Sequence, residues 1–251
     1  MLAKDIEVIM NEDAEGGLKE CDHPTIFHEF LRSDELPVGD RNATHFLEEA
    51  QTLIGAGQVT TAHDLHVTCW HILSTPGVLE KLRAELREAM PDASKLAPLQ
   101  QLEELPYLSS VIMEGLRFSH GVVHRLTRIS PKDPVHFRDW TIPAGTPMSM
   151  THMLIHQDKS IYEDPLTFQP ERWSGPDSAR LRKYLIPFSK GTRSCLGMHL
   201  AQAEVRMTIA ALFRRFEFEM GEMEREDIDF AHDYFIPIRK QGARELEVFI
   251  K

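Results

Sequence analysis

Cys195 is the residue from which the chemistry of this chain is read. It stands near the end of Phe188-Ser189-Lys190-Gly191-Thr192-Arg193-Ser194-Cys195-Leu196-Gly197, and a helical apolar pattern follows through Met198, Leu200, Ala201, Val205, Ile209, Leu212 and Phe213. The thiol is therefore expected just ahead of a helix N-terminus. There, unpartnered N–H groups and the positive end of the macrodipole favour a thiolate. Gly191 and Gly197 have no Cβ and let the backbone lie close against something flat. Arg193 offers a fork of donors suited to a carboxylate, and Phe188 supplies an apolar ring. A thiolate, a close-approach surface and a carboxylate clamp together describe a site for an iron porphyrin with a cysteine axial ligand. A lone cysteine before a helix is more often a packing residue, but the five positions together are far more specific.

Three further groups of residues invite attention. Gly55-Ala56-Gly57, with Thr60-Thr61 close behind, sits in the middle of a long helical pattern. Two glycines there cost about 2 kcal/mol of helix propensity against alanine. They mark close helix packing, a local distortion, or a groove where a ligand lies against the backbone. Glu114 and Arg117 are three apart and so share one helix face in an apolar context, which favours a partly buried pair. His63 and His66 at i and i+3 have no second pair of ligands and read as surface or packing residues.

The elements that must position these groups follow from periodicity. The long helix is expected from about Asn42 to Ser74, a second opens at Thr75-Pro76 with Thr75 as cap, and a third spans Leu108 to His120. On the second, Glu80, Lys81, Arg83, Glu85 and Arg87 are expected to face water. Arg125–Ile129, Val135–Phe137 and Trp140–Ile142 read as short strands punctuated by prolines and glycine. Thr151 to Trp173 reads as an aperiodic, ordered loop, tied down by specific bonds. Phe216–Met220 and Glu245–Ile250 alternate as strands and are expected to pair. Residues 1–40 are weakly patterned, with helical turns near Met1–Met10 and Thr25–Leu31 and an acidic loop from Asn11 to Asp22.

Bulk composition excludes several function classes. A chain of 251 residues can bury a sizeable core. A net charge of -11 argues against nucleic-acid binding, which needs a basic face. No apolar run approaches the roughly 18 residues that span a bilayer, and no secretory leader is recognised. Cys21, Cys69 and Cys195 are too few and too scattered for a disulfide framework and suit a reducing compartment.

Phe188, Gly191, Arg193, Cys195 and Gly197 fall at the spacing of the haem loop of the cytochrome P-450 family, which this sequence resembles from about residue 40 onward. Three more motifs stand in that family's order. Ala56-Gly57-Gln58-Val59-Thr60-Thr61 looks like its oxygen-binding helix segment. Glu114-x-x-Arg117 matches its Glu-x-x-Arg motif. Pro170-Glu171-Arg172 matches the segment whose arginine joins that pair. The wording around His124–Pro147 and Pro187–Glu204 is most similar to fungal monooxygenases akin to trichodiene oxygenase.

The resemblance implies a mainly α fold with small β-sheets, the C-terminal half of the cytochrome P-450 fold. A poorly patterned segment, residues 1–40, would precede a partial haem-binding domain, residues 41–251. Cys195 would be the axial ligand of haem iron. Arg193 and Arg128 (Arg125 is the weaker candidate) would hold propionates. Ala56 and Gly57 would border the oxygen site, and Thr60 would serve proton delivery. Glu114, Arg117 and Arg172 would lock the segment behind the haem loop. One position departs from the family pattern: the residue before Thr60 is usually an acid, and here it is Val59, which cannot relay a proton. The implied activity is a monooxygenase acting on a small apolar metabolite such as a terpenoid, in fungal secondary metabolism. Its partners would be dioxygen and an NADPH-dependent reductase, with no nucleic acid. The full-length family is anchored on the cytoplasmic face of the endoplasmic reticulum through an N-terminal segment; this chain is expected to lack that half and to be cytoplasmic. Without the missing half the open face would let activated oxygen leak away, so a non-catalytic remnant without stable haem binding stands as the alternative reading.

Overall fold

The computed structural model describes residues 2–14 and 24–251. Gly16, Gly17 and Cys21, part of the expected acidic loop, lie outside the described residues. The start of that stretch is instead helical, because α1 runs from Leu2 to Ala14. Contacts divide the chain into two compact units, Met1–Val59 and Thr60–Lys251.

In the first unit, α1, α2 (Ile26–Arg32) and the opening turns of α3 (Ala43–Ser74) bury Ile6, Leu31, Phe46 and Ala50. The rings of Phe27, Phe30 and Phe46 pack with centroids about 6 Å apart. Arg41 ties the link between α2 and α3 by donating to the carbonyls of Ser33 (2.7 Å), Leu36 (3.1 Å) and Leu31 (3.4 Å).

The boundary between the units falls inside α3, which continues through Ser74 without a break. Its glycines do not interrupt it. A Cβ added at Gly55 or Gly57 would meet nothing within 4 Å, so among the described residues close helix packing is not their reason.

The second unit is mainly helical. After α3 come α4 (Val78–Ala89), α5 (Leu99–Glu103) and α6 (Pro106–Ser119). The Thr75-Pro76 start expected for α4 is not used. Gly77, left-handed at φ +80°, is its N-cap, and Thr75 and Pro76 form the tight link from α3. Glu85 does not face water either. Its carboxylate accepts the Tyr107 and Leu108 N–H groups at 2.8 and 2.7 Å, satisfying free donors at the start of α6 where negative charge is favoured.

Four small antiparallel pairs follow. β1 (Leu126–Ile129) pairs with β4 (Pro147–Met150), and β2 (Val135–Phe137) with β3 (Trp140–Ile142). After α7 (His152–His156), α8 (Ser178–Leu181) and α9 (Met198–Arg215), β5 (Phe218–Met220) precedes α10 (Arg225–Ile228). β6 (His232–Tyr234) then turns directly into β7 (Ile236–Ile238), and β5 pairs with the terminal β8 (Val248–Ile250), as the alternating patterns suggested. The main core joins Ile72 of α3, Leu82 and Leu86 of α4, Leu102 of α5, Leu108 and Val111 of α6, and Val205, Ile209 and Phe213 of α9. It holds in place the three helices that matter below: α3, α6 and α9.

The helices α3 and α6 touch at a point the sequence did not reveal. A Cβ on Gly115 would collide with the side chain of Thr68, so glycine is required in the middle of α6. A second close approach lies just past α6. Gly121, at φ +66°, faces the Pro187 carbonyl so closely that a Cβ there would collide with it. This contact holds the exit of α6 against the segment that enters the Cys195 loop.

Candidate functional site

The Cys195 loop is built from local geometry. Ser189 and Gly191 both adopt positive φ, +60° and +76°, so the chain turns sharply twice. Gly191–Arg193 forms one 3-10 turn, and the Cys195 N–H donates to the Phe188 carbonyl at 2.9 Å, closing the loop. Phe188 packs against the main core, whereas Cys195 is exposed as a free thiol two residues ahead of the Gly197 cap of α9. A Cβ on Gly191 or Gly197 would meet nothing within 4 Å, which leaves open space on this side of the backbone. Arg193 is exposed and has no ion-pair or hydrogen-bond partner among the described residues. Arg128 on β1 reaches the same loop, its Nη2 donating to Ser189 Oγ at 3.4 Å.

The second unit also holds a buried ionic knot. Glu114 accepts from Arg117 Nε (2.9 Å) and Nη2 (2.8 Å), from Arg172 Nε (3.0 Å), from Trp173 Nε1 (2.9 Å) and from the Gln169 N–H (2.9 Å). Arg117 also donates to the carbonyls of His156 (2.8 Å) and Pro165 (2.6 Å). Arg172 donates to those of Glu163 (3.0 Å) and Thr167 (3.2 Å). Periodicity could not show Trp173 or the Gln169 main chain as members, because both lie in the aperiodic segment. His156 belongs to this scaffold rather than to catalysis: it is fully buried and its Nε2 accepts the Ile186 N–H at 3.1 Å. Burial pushes its imidazole well below the usual histidine range, with the neighbouring His120 and Arg117 adding to the effect.

On α3, Ala56, Gly57 and Val59 are exposed and Thr60 is half-buried. One turn beyond Thr60, Asp64 is buried against α6, where its Oδ1 accepts from Ser119 Oγ at 2.7 Å. No ion pair reaches it among the described residues, and its Oδ2 has no hydrogen-bond partner. Burial pushes this carboxyl up to about 7, against a smaller opposing effect of the Ser119 bond. Asp64 was missed because a lone acid in a helical pattern reads as solvent-facing.

A cavity of about 320 Å³ lies elsewhere in this unit, lined by His63, His71, Arg117, Phe118, His120 and Gln157 among others, and by no residue of the Cys195 loop. Among the described residues no group of three or more His, Cys, Asp or Glu side chains could hold a metal ion.

The family model described as cytochrome P-450 matches residues 20–242. The chain belongs to the cytochrome P-450 family. Its relatives include a cytochrome P-450 monooxygenase of Ascocoryne sarcoides, 43% identical over 96% of this chain and 48% of that protein. The N-acetyltryptophan 6-hydroxylase of Emericella nidulans is 43% identical over 92% of this chain and 46% of its own length. The tryptophan 6-hydroxylase of Fusarium equiseti is 39% identical over 96% of this chain and 46% of its own. The chain thus spans about half the length of the curated relatives it matches. The cytochrome P-450 family implies haem. The donor set fits that group: an exposed thiol, open space beside two glycines, and two loop-side arginines. No helix among the described residues is long and apolar enough to cross a membrane.

Proposed function

We propose that this chain carries the haem-binding, C-terminal half of a fungal haem-thiolate monooxygenase that oxidises a small apolar metabolite. The observation that carries the reading is the free, exposed Cys195 thiol in a closed loop at the head of α9. In this reading Cys195 holds the iron through Sγ, Arg193 and Arg128 hold the propionates, and Gly191 and Gly197 admit the flat face of the macrocycle. Ala56 and Gly57 leave room beside the oxygen site. The Thr60 hydroxyl passes a proton into that site, a task Val59 cannot perform. Glu114, Arg117 and Arg172 keep the segment behind the loop in place. When bound, the haem supplies dioxygen activation and oxygen transfer, with electrons from an NADPH-dependent reductase. Terpenoids are the proposed substrate class, and the two tryptophan hydroxylases among the relatives extend it to indoles. Membrane association, in the endoplasmic reticulum, is a property proposed for the whole protein.

The test is spectroscopic. The chain is loaded with haem, reduced and exposed to carbon monoxide. A red-shifted thiolate band that disappears in Cys195→Ala is expected. A folded protein that takes up no haem would overturn the reading and leave the non-catalytic remnant, which Val59 favours.

A further inference from the structure

We propose that Asp64 and Ser119 form a proton store that serves Thr60, in place of the acid that Val59 lacks. The proposal rests on the haem-thiolate reading above and names a residue for the same reaction.

The geometry begins with helix register. Thr60 and Asp64 are four apart on α3, so their Cβ atoms are neighbours about 5–6 Å apart on one face. The Cα–Cβ bonds of a helix tilt toward its N-terminus, so the Asp64 Cβ leans to the Thr60 side while its Oδ1 is held by Ser119 of α6. That span is of the size a carboxyl and one bridging water would close. Val59 points elsewhere and is exposed.

The Asp64–Ser119 pair can hold either protonation state without rearrangement. Ser119 Oγ lies 2.7 Å from Asp64 Oδ1 and 3.3 Å from the Leu116 carbonyl. When Asp64 is ionised, the serine hydroxyl donates to Oδ1. When the carboxyl carries its proton on Oδ2, the serine hydroxyl still donates to Oδ1, so one bond serves both states. Oδ2 is buried without a partner among the described residues, which leaves it as the oxygen through which a proton leaves. A buried polar atom left unsatisfied costs about 1–3 kcal/mol and so calls for a reason.

The surroundings supply no counter-charge. On α3, Asp64 has His63, Thr68 and Cys69 for neighbours; from α6 it meets Ser119, with Gly115 one turn back and His120 following. Burial lowers His63 to about 4 and His120 to about 3, so both are neutral at physiological pH. The Cys69 thiol is pushed up to about 12 by burial and by Asp64, so it is neutral as well. Arg239 acts on His63 and Arg117 on His120, and neither pairs with Asp64.

The proton balance is simple. Asp64 Oδ2–H gives its proton, through the water, to Thr60 Oγ1, while the Thr60 hydroxyl proton moves into the oxygen site. Asp64 is left as a carboxylate held by the Ser119 hydroxyl, and a proton from bulk solvent, returned through Thr60 and the same water, restores the acid before the next cycle. No electron moves in this step.

Two measurements test it. Infrared titration of the full chain should show a buried carboxylic-acid band that fades as pH rises through about 7. The band should be absent in Asp64→Asn, and in Ser119→Ala its midpoint should rise because the bond to the ionised form is gone. In the haem-loaded, reductase-fed protein, oxygen consumption should fall as pH rises through the same midpoint. In Asp64→Asn it should drop about a hundredfold and lose that pH dependence, and Val59→Asp in that background should restore it. An Asp64 that titrates in the ordinary carboxylate range, or an Asp64→Asn variant with unchanged consumption, would overturn the inference while leaving the haem-thiolate reading intact. A chain that takes up no haem sinks both.

Discussion

Trp173 donates its indole N–H to Glu114 Oε2 at 2.9 Å, joining a 3-10 turn to the middle of α6 across 59 residues of sequence. The carboxylate it meets is fully buried and already holds Arg117 and Arg172. The pair therefore anchors the aperiodic segment to a helix that belongs to the main core.

Removing that carboxylate leaves two buried guanidinium groups without their counter-ion. Glu114→Ala should lower the stability of the chain by about 3–5 kcal/mol, read from urea unfolding. Trp173→Phe keeps the ring and loses one bond to a charged acceptor, and should cost about 1.5–3 kcal/mol. Removing an exposed pair such as Lys95 with Asp92 should leave the urea midpoint nearly unchanged in the same assay.

Much of this arrangement was legible in the sequence. The spacing of Glu114 and Arg117 pointed to a partly buried pair, Arg172 was implied only by the family resemblance, and the alternation of Phe216–Met220 with Glu245–Ile250 pointed to a strand pair. What was hidden depends on neighbours from other elements. Glu85 looks exposed on the α4 pattern until α6 sets its free N–H groups against it. Gly77 replaces Thr75 as the cap of α4 because the link from α3 turns within three residues. Asp64 falls at a position buried against Ser119 of α6, a neighbour its own helix does not reveal.

The contact of Gly115 with Thr68 makes a steric prediction. Gly115→Ala should cost about 1–3 kcal/mol by overpacking the crossing of α3 and α6. Thr68→Ala removes a buried hydroxyl that has no partner among the described residues and should cost little. Combining the two should recover most of the loss, giving a favourable coupling in a double-mutant cycle.

Loop-side arginines should set cofactor affinity. Arg128→Ala removes a group that bonds Ser189 of the Cys195 loop. Haem titration should show about tenfold weaker uptake, the effect of one charge-assisted hydrogen bond. Arg125→Ala should leave uptake unchanged, and an equal effect of the two would reassign the role.

Acid should unfold the second unit for a definable reason. Burial lowers His71 and His120 to about 3 and His63 to about 4, each from 6.5. The unfolded chain therefore binds protons that the folded one refuses. Their contribution is fully present above about pH 6.5 and is lost as pH falls through 6 and 5. Each histidine contributes up to about 1.4 kcal/mol per pH unit in that window. Asp64 works in the opposite sense. Its folded value is raised to about 7 from 3.8, so its burial costs least in acid and most above neutrality. His66, His152 and His156 are lowered as well, so lowered histidines outnumber the one raised aspartate, and urea midpoints should fall between pH 6.5 and 4.5. Asp64→Asn should steepen the decline.

The carbonyls of His156, Pro165 and Thr167 all end on the guanidinium of Arg117. Loops ordinarily absorb added residues at small expense, since lengthening them changes little but entropy. This one has three fixed points on a single side chain, so its length is a specified dimension. Adding even one residue between Gln157 and Leu166 would pull an anchor from its socket, and the irregular stretch would behave like a part machined to tolerance.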